Sequence, residues 1–297
     1  MFLARITSTE LLITFCEQPN MTVPPITQLA TEFKITADNE VAKSTIRSWC
    51  RSSWRGIASE FLSTSMLVLF GCMSCIPLEG INMSIYSPFG FGFVVMFNIQ
   101  IFGHISGAYM NPAVTLAAMI WGSISVPVGI FYMIVECAGA LVGYGILSTL
   151  SPVDVGLENV CVTAPHIGLN DLQSLGIEIA LTAALIFINC GVWDPVNANK
   201  QDSAPIKFGL TIVGLSLVGG PLTGASMNPA RTLGPAVWTG YWDHQWIYWV
   251  GPFVGSLVAV LIYKYIFLKK LITVRNYRLN SDTITCMDSE ININLII

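Results

Sequence analysis

Long apolar runs that carry few charges recur along the 297-residue chain. Because about 20 apolar residues are needed to cross the hydrocarbon core of a bilayer, these runs predict six membrane-spanning helices. The second and fifth runs are each followed by a shorter apolar stretch that is broken at Asn-Pro and predicts a re-entrant half-helix. The six runs lie near Gly56–Ile76, Pro88–Phe102, Val126–Leu150, Leu172–Val192, Ile206–Gly219 and Gln245–Leu268.

The composition agrees with a membrane protein, since 53% of the residues are hydrophobic and 11% are charged, against about 25% charged residues in soluble proteins. With a net charge of −4 the chain offers no cationic surface for a nucleic-acid backbone, so we expect no nucleic-acid partner. The spacing of the eight cysteines indicates neither a zinc site nor a disulfide framework. We interpret Cys72 and Cys75 as small hydrophobic residues, and we expect no metal and no cofactor.

Basic residues that flank the spans predict the orientation of the chain. Four lie between residues 43 and 55, and four more lie between residues 269 and 278. Cytosolic flanks are enriched in Lys and Arg, so we expect both termini in the cytosol, and an even number of spans agrees with that orientation. The expected location is the plasma membrane. The predicted parts are a cytosolic N-terminal tail at 1–54, a channel domain at 55–268 with repeats at about 55–150 and 171–268, and a loose, polar cytosolic C-terminal tail at 269–297.

An internal repeat divides the chain into two related halves. The segment Ser-Gly-Ala-Tyr-Met-Asn-Pro-Ala-Val-Thr begins at Ser106, and Thr-Gly-Ala-Ser-Met-Asn-Pro-Ala-Arg-Thr begins 117 residues later at Thr223. A Glu-x-x-x-Thr pattern at Glu60 returns at Glu178. Each half has three spans, an odd number, so the second half enters the membrane from the opposite side. The predicted fold is therefore an all-α membrane protein, an inverted repeat of six transmembrane helices and two half-helices around a central pore.

Each Asn-Pro-Ala segment predicts a helix start, because Asn is a favourable N-cap and Pro is preferred at the first helical position. In inverted halves the two short helices meet N-terminus to N-terminus near the middle of the bilayer, which brings two positive dipole ends and two Asn amide donors together. Such a point attracts the oxygen of water or of a hydroxyl and repels protons and cations. The predicted midplane residues are Asn111, Pro112, Ala113, Asn228, Pro229 and Ala230.

Two acidic residues, Glu60 and Glu178, lie inside apolar helices, where an unpaired ionised side chain costs several kcal/mol. The irregular stretches before Asn111 and Asn228 expose backbone N–H groups at membrane depth, and one carboxylate from each half is expected to accept from them. We interpret this role as structural. A proton relay would need further acids or histidines along the pore, and Glu136 is the one such residue in the predicted spans. We interpret Glu136 as a core residue, with a pH-responsive element as the alternative.

These motifs together resemble the aquaporin (major intrinsic protein) family. The resemblance rests on the two Asn-Pro-Ala boxes with Arg231 after the second, the His-Ile-Ser-Gly-Ala segment that begins at His104, the repeated Glu-x-x-x-Thr and the Trp-Val-Gly-Pro segment that begins at Trp249. It covers about residues 55–268. The resemblance implies six tilted helices and two half-helices around one pore in each subunit, four subunits in an assembly, and passive permeation.

The resemblance also implies an outer constriction that selects what passes. Arg231 matches the residue whose charge excludes cations, and its partners by motif position are Phe91, Ser216 and Ala225. Strict water channels of the family carry His where Ser216 stands, so the ring is expected to be wider, with an apolar face from Phe91. This filter resembles that of the insect branch called entomoglyceroporins. Four other positions resemble the water-channel branch: Thr232, Ala236, Tyr248 and Trp249.

We therefore expect a homotetramer in the lipid bilayer that passes water, glycerol and urea and excludes ions. One alternative is a strictly water-selective aquaporin. Another is a non-conducting junction or scaffold member, for which long interaction tails are typical, although the tails here are short and lack charge blocks. An ion-coupled transporter is disfavoured by Arg231 beside two positive helix ends. No nucleophile–base pair is visible in the sequence, so we expect no enzymatic activity.

Glycosylation tests the predicted orientation. Asn82-Met83-Ser84 is a glycosylation sequon in the loop after the first span, which cytosolic termini place outside the cell, whereas the Asn20-Met21-Thr22 sequon lies on the cytosolic side. In a glycosidase digestion, any mobility shift should disappear in Asn82→Gln and persist in Asn20→Gln. Sugar attached at Asn20 would overturn the topology.

Overall fold

The structure, a computed structural model, describes residues 46–268, 272–280 and 283–293, so most of the predicted N-terminal tail lies outside the described residues. A 3-10 helix, Pro195–Ser203, and a π-helical turn, Tyr263–Phe267, accompany the longer helices. Those helices are α1 (Ile46–Met73), α2 (Met83–Ser106), α3 (Pro112–Trp121), α4 (Val126–Leu150), α5 (Asp171–Trp193), α6 (Ala204–Thr223), α7 (Pro229–Thr239) and α8 (Ile247–Ile262).

An antiparallel hairpin forms in the C-terminal tail from β1 (Ile272–Asn280) and β2 (Thr283–Ile293), with Ile272 opposite Ile293. The expectation of a loose tail is wrong for these residues. Ile and Thr occur in both stretches, and such β-branched residues favour the pleated conformation of a strand. The many polar residues in this part of the chain hide the strand pattern.

Within the described residues, six helices are long and apolar enough to cross a membrane, and they coincide with the six predicted runs. The number of spans is therefore confirmed. The two remaining helices, α3 and α7, contain 10 and 11 residues. At about 1.5 Å of rise per residue, each covers about half of the hydrocarbon core, so both are half-helices.

The two halves pack in equivalent ways through glycines. In α2 and α6 the backbones approach so closely that a Cβ added at Gly92 would lie 2.6 Å from the Gly209 carbonyl oxygen. The first and third spans of each half meet in a similar manner, with Gly143 of α4 against the backbone of α1 and Gly255 of α8 against the backbone of α5. Small residues permit this close approach of membrane helices, and its recurrence agrees with the predicted internal repeat.

Both half-helices begin at their Asn-Pro segments. The Asn111 Oδ1 atom accepts a hydrogen bond from the Ala113 N–H at 2.9 Å, and the Asn228 Oδ1 atom accepts from the Arg231 N–H at 3.1 Å. Proline occupies the first turn of each helix, where its missing N–H costs no intrahelical hydrogen bond. The predicted start of both half-helices is confirmed.

The segment before each half-helix is irregular and is held by a buried carboxyl group. Met110 and Met227 have φ angles of 53° and 52°, in the left-handed region that residues other than glycine rarely adopt. Glu60 accepts from the N–H groups of Met110 and the residue before it at 2.8 and 3.0 Å. Glu178 accepts from the N–H groups of Met227 and the residue before it at 2.9 and 3.0 Å. Each carboxyl group thus satisfies two backbone donors at membrane depth.

Replacing Glu178 with Gln should destabilise the protein. The amide has one acceptor oxygen instead of two, so a backbone N–H of Ser226 or Met227 loses its partner, and an unsatisfied buried donor costs about 1–3 kcal/mol. Thermal unfolding of the purified protein in detergent measures the effect. Glu158→Gln, at an exposed loop position, is the matched control, and equal melting temperatures for wild type and Glu178→Gln would contradict this account.

Candidate pore and selectivity filter

A cavity of about 350 Å³ lies between the two halves of the channel. Met83 and Ser84 line it where α2 begins, and Trp193 and Phe208 line it near the connection between α5 and α6. Between these positions its wall is built from residues of both halves. The cavity therefore occupies the position that the sequence predicts for the pore.

The junction of the two half-helices contributes amide groups to this cavity. Asn111 and Asn228 both line it, and each side chain reaches across to the opposite half. The Nδ2 atom of Asn111 donates to the Met227 carbonyl at 2.8 Å, and that of Asn228 donates to the Met110 carbonyl at 2.8 Å. An Asn amide has two N–H donors, so each side chain retains a second donor. The other predicted midplane residues are buried behind the wall: Pro112, Ala113, Pro229 and Ala230.

The four predicted filter residues, Phe91, Ser216, Ala225 and Arg231, all line the cavity. The guanidinium carbon of Arg231 lies 4.9 Å from the centroid of the Phe91 ring, within the range of a cation–π contact. Its Nη1 atom donates to the Cys161 carbonyl at 2.7 Å. Arg231 is 8% exposed, so its charge is fixed in the wall by these two contacts.

The cavity wall is positive. Among the described residues that line it, Arg231 is the one charged side chain. Arg231 belongs to the first turn of α7, and the N-termini of both half-helices add the positive ends of their dipoles. The carboxyl groups of Glu60 and Glu178 lie behind the wall, where they accept hydrogen bonds from backbone N–H groups. Positive charge of this kind in a channel wall generally opposes the entry of cations.

Glu136 lies outside the cavity wall and is fully buried. Its Oε1 atom accepts from the Thr115 hydroxyl at 2.6 Å, which links α4 to the half-helix α3. This contact agrees with the interpretation of Glu136 as a core residue. The part of the chain that the structure describes contains no group of three or more His, Cys, Asp or Glu side chains that could hold a metal ion.

A disulfide bond beside the filter corrects the sequence analysis. Cys72 and Cys161 are joined, with their Cα atoms 5.2 Å apart, so the interpretation of Cys72 as only a small hydrophobic residue is wrong. The two residues are separated by 89 positions, and such a pairing cannot be deduced from cysteine spacing alone. The predicted topology did carry a signal for this pairing. It places the end of the first span, near Cys72, and the loop that contains Cys161 on the same side of the membrane. Cys75, by contrast, is a free thiol that lines the cavity.

Comparison with known proteins supports the resemblance. The profile of the family described as "Major intrinsic protein" matches residues 46–263. Mouse Aquaporin-4 is 37% identical over 225 residues, which cover 74% of this chain and 69% of the relative. Mouse Aquaporin-1 is 37% identical over 223 residues, which cover 72% and 82%. The X-ray structure of the aquaglyceroporin from Plasmodium falciparum has the same fold, with a TM-score of 0.64 and 22% identity over 71% of this chain and 96% of that chain.

The matched region contains both Asn-Pro caps, both buried carboxyl groups and the filter residues. It also contains five of the six apolar spans and most of the sixth, and these helices make the chain an integral membrane protein. A family match over most of the chain, together with relatives above 30% identity, confirms the family that the sequence motifs indicate. The chain belongs to the major intrinsic protein (aquaporin) family of membrane channels.

Proposed function

We propose that the channel passes water and small uncharged solutes such as glycerol and urea, and that it excludes ions and protons. The observation that carries the proposal is the filter. Ser216 lines the same cavity as Phe91 and Arg231, and it stands where the family resemblance implies His in strict water channels. A hydroxymethyl group occupies much less volume than an imidazole, so the ring has room for a solute larger than water.

The chemistry of the ring suits a polyol. Phe91 offers an apolar face, and Arg231 offers N–H donors beside it, since its guanidinium carbon lies 4.9 Å from the centroid of the Phe91 ring. A three-carbon polyol needs both surfaces, because its carbons pack against the aromatic ring while its hydroxyl oxygens accept hydrogen bonds. Urea is planar and small and can accept from the same guanidinium group. The free second donors of Asn111 and Asn228 then receive the oxygen of either solute at the midplane.

Ion exclusion follows from the charge of the wall. A cation that enters the cavity loses water of hydration and meets the guanidinium group of Arg231, with no acidic side chain among the described residues of the wall to replace that water. The two half-helix dipoles raise the barrier further. The proposed activity is therefore passive and needs no cofactor, and membership of a family of channels supports the expectation that the chain is not an enzyme.

A strictly water-selective aquaporin is the second candidate. It is favoured by the relatives named as aquaporins, among them rat Aquaporin-2, which is 34% identical over 215 residues. The side chain at position 216 distinguishes the two candidates. A strict water channel is expected to carry an imidazole there, and this chain carries the smaller Ser216, which favours solute permeation. A non-conducting scaffold protein is less favoured, since the cavity is lined by amide and guanidinium donors that a scaffold does not need.

We also propose cytosolic termini, a plasma-membrane location and an assembly of four subunits. The disulfide between Cys72 and Cys161 supports the orientation, because disulfides persist on the oxidising side of a membrane. Exposed apolar side chains such as Ile130 and Ile134 of α4 suit contact with lipid or with a neighbouring subunit. Membership of the insect entomoglyceroporin branch stays a prediction that rests on Ser216.

Oocytes that express the chain should swell in hypotonic medium without a new ionic conductance, because Arg231 and the two helix N-termini oppose cation entry. Swelling is measured by video microscopy and conductance by two-electrode voltage clamp on the same cells. Water-injected oocytes are the control. A cation current that rises in proportion to the swelling rate would refute the proposed ion exclusion.

The substitution Ser216→His should narrow the filter. We expect the uptake of labelled glycerol and urea to fall by about tenfold or more, while water permeability stays within a few-fold of wild type, because the midplane amides of Asn111 and Asn228 are unchanged. Uptake is normalised to the amount of protein at the cell surface.

Ser216→Ala is the matched control for this experiment, since it removes the hydroxyl group without adding volume. It should keep glycerol uptake close to the wild-type level. If Ser216→His leaves glycerol and urea uptake unchanged, the side chain at this position does not limit the pore.

A further inference from the structure

The segment between α4 and α5 forms one wall of the filter, and a covalent bond holds it at the point of contact. Cys161 in this segment is bonded to Cys72, which lies in the last turn of α1 and is fully buried. The carbonyl oxygen of Cys161 accepts the Nη1 hydrogen bond of Arg231 at 2.7 Å. The residue that carries the disulfide is therefore the same residue that fixes the filter arginine.

The backbone of Cys161 has an unusual conformation. Its φ angle is 65°, in the left-handed region that costs a residue other than glycine about 1–3 kcal/mol unless its surroundings hold it there. In this conformation the carbonyl group points at the guanidinium group of Arg231. The bond to Cys72 restrains the Cα and Cβ atoms of Cys161 and so opposes relaxation to an extended conformation.

Other contacts hold the rest of the segment without the disulfide. The Tyr144 hydroxyl donates to the Val160 carbonyl at 2.7 Å, and the hydroxyl groups of Thr163 and Thr232 lie 3.1 Å apart. Further along, the His166 N–H donates to the Leu222 carbonyl at 2.7 Å. Loss of the disulfide should therefore leave the segment in place and release mainly Cys161.

We propose that the disulfide between Cys72 and Cys161 is a positioning element of the selectivity filter, which sets the solute selectivity of the channel by fixing Arg231. This inference rests on the proposed solute permeation. When the bond is absent, Cys161 relaxes and its carbonyl leaves Arg231, so the long guanidinium side chain samples several positions in the cavity. A polyol that must contact Phe91 and Arg231 together is then affected more than water, which needs one donor at a time.

The first step of the test removes the bond in three variants, Cys72→Ala, Cys161→Ala and the double variant. The backbone carbonyl of residue 161 remains in each of them. Cys190→Ala is the matched control, because Cys190 is a free, fully buried cysteine outside the cavity wall. Peptide mapping of the wild-type protein under non-reducing conditions should recover residues 72 and 161 as one cross-linked pair, and two free thiols would overturn the proposal.

The main readout is the ratio of glycerol to water permeability in proteoliposomes, since a ratio is independent of the amount of folded protein. The three variants should show the same fall in this ratio, by about threefold or more, because each removes the same restraint on a hydrogen bond to a charged group. Cys190→Ala should keep the wild-type ratio. A phosphine reductant, which takes an oxygen atom from water as it converts the disulfide into two thiols, should lower the ratio in wild type and not in Cys72→Ala. If wild type passes glycerol and the variants have an unchanged ratio, the proposal is wrong.

A second readout separates this inference from the proposed function. If wild type passes water and no glycerol, the proposed solute permeation is wrong. Amide hydrogen exchange then tests independently whether the disulfide positions the filter. Peptides that cover residues 155–163 and the first turn of α7 should exchange faster in Cys72→Ala than in Cys190→Ala. Equal exchange in these peptides would show that the bond does not position the filter.

Discussion

The fold depends on satisfying backbone hydrogen bonds at the point where two helices begin in the middle of a membrane. Lipid offers no partner for free N–H or C=O groups, so the protein must supply them from its own side chains. Glu60 and Glu178 accept the N–H groups before the half-helices, and the amides of Asn111 and Asn228 donate to carbonyls of the opposite half. The amide contacts join the two halves at the same depth in the membrane, and this depth is where the half-helices meet the pore.

The same arrangement produces the chemistry of the channel. Two helix N-termini that meet at the pore leave positive dipole ends and unused amide donors in the wall, and the acids that stabilise them are buried behind it. Arg231 adds a charge in the first turn of α7, where the ring of Phe91 and the Cys161 carbonyl fix its position. Structure and selectivity therefore have one origin, since the groups that complete the fold also define what the pore attracts and repels.

The parts of the fold that depend on local sequence could be predicted. Apolar runs of membrane length gave the six spans, and the N-cap preference of Asn with Pro after it located both half-helices. The filter positions were implied by the resemblance to the family, and Phe91 and Arg231 lie together in the structure. The contribution of Cys161 could not be predicted, because it depends on pairing with a residue 89 positions away and on a left-handed backbone. The residue type at position 161 indicates neither its partner nor its backbone conformation. The pairing of the two strands in the C-terminal tail likewise cannot be inferred from residue type.

The central claim is that an arginine filter without an imidazole passes small uncharged solutes through a positive pore. Stopped-flow light scattering on proteoliposomes of the purified protein tests it most directly. When the vesicles are mixed with a hypertonic glycerol or urea solution, they should shrink as water leaves and then reswell as solute enters. Both rates should increase with protein content. A hypertonic sucrose solution should give shrinkage alone. Rapid shrinkage followed by no reswelling beyond that of protein-free vesicles in glycerol and urea would contradict the account.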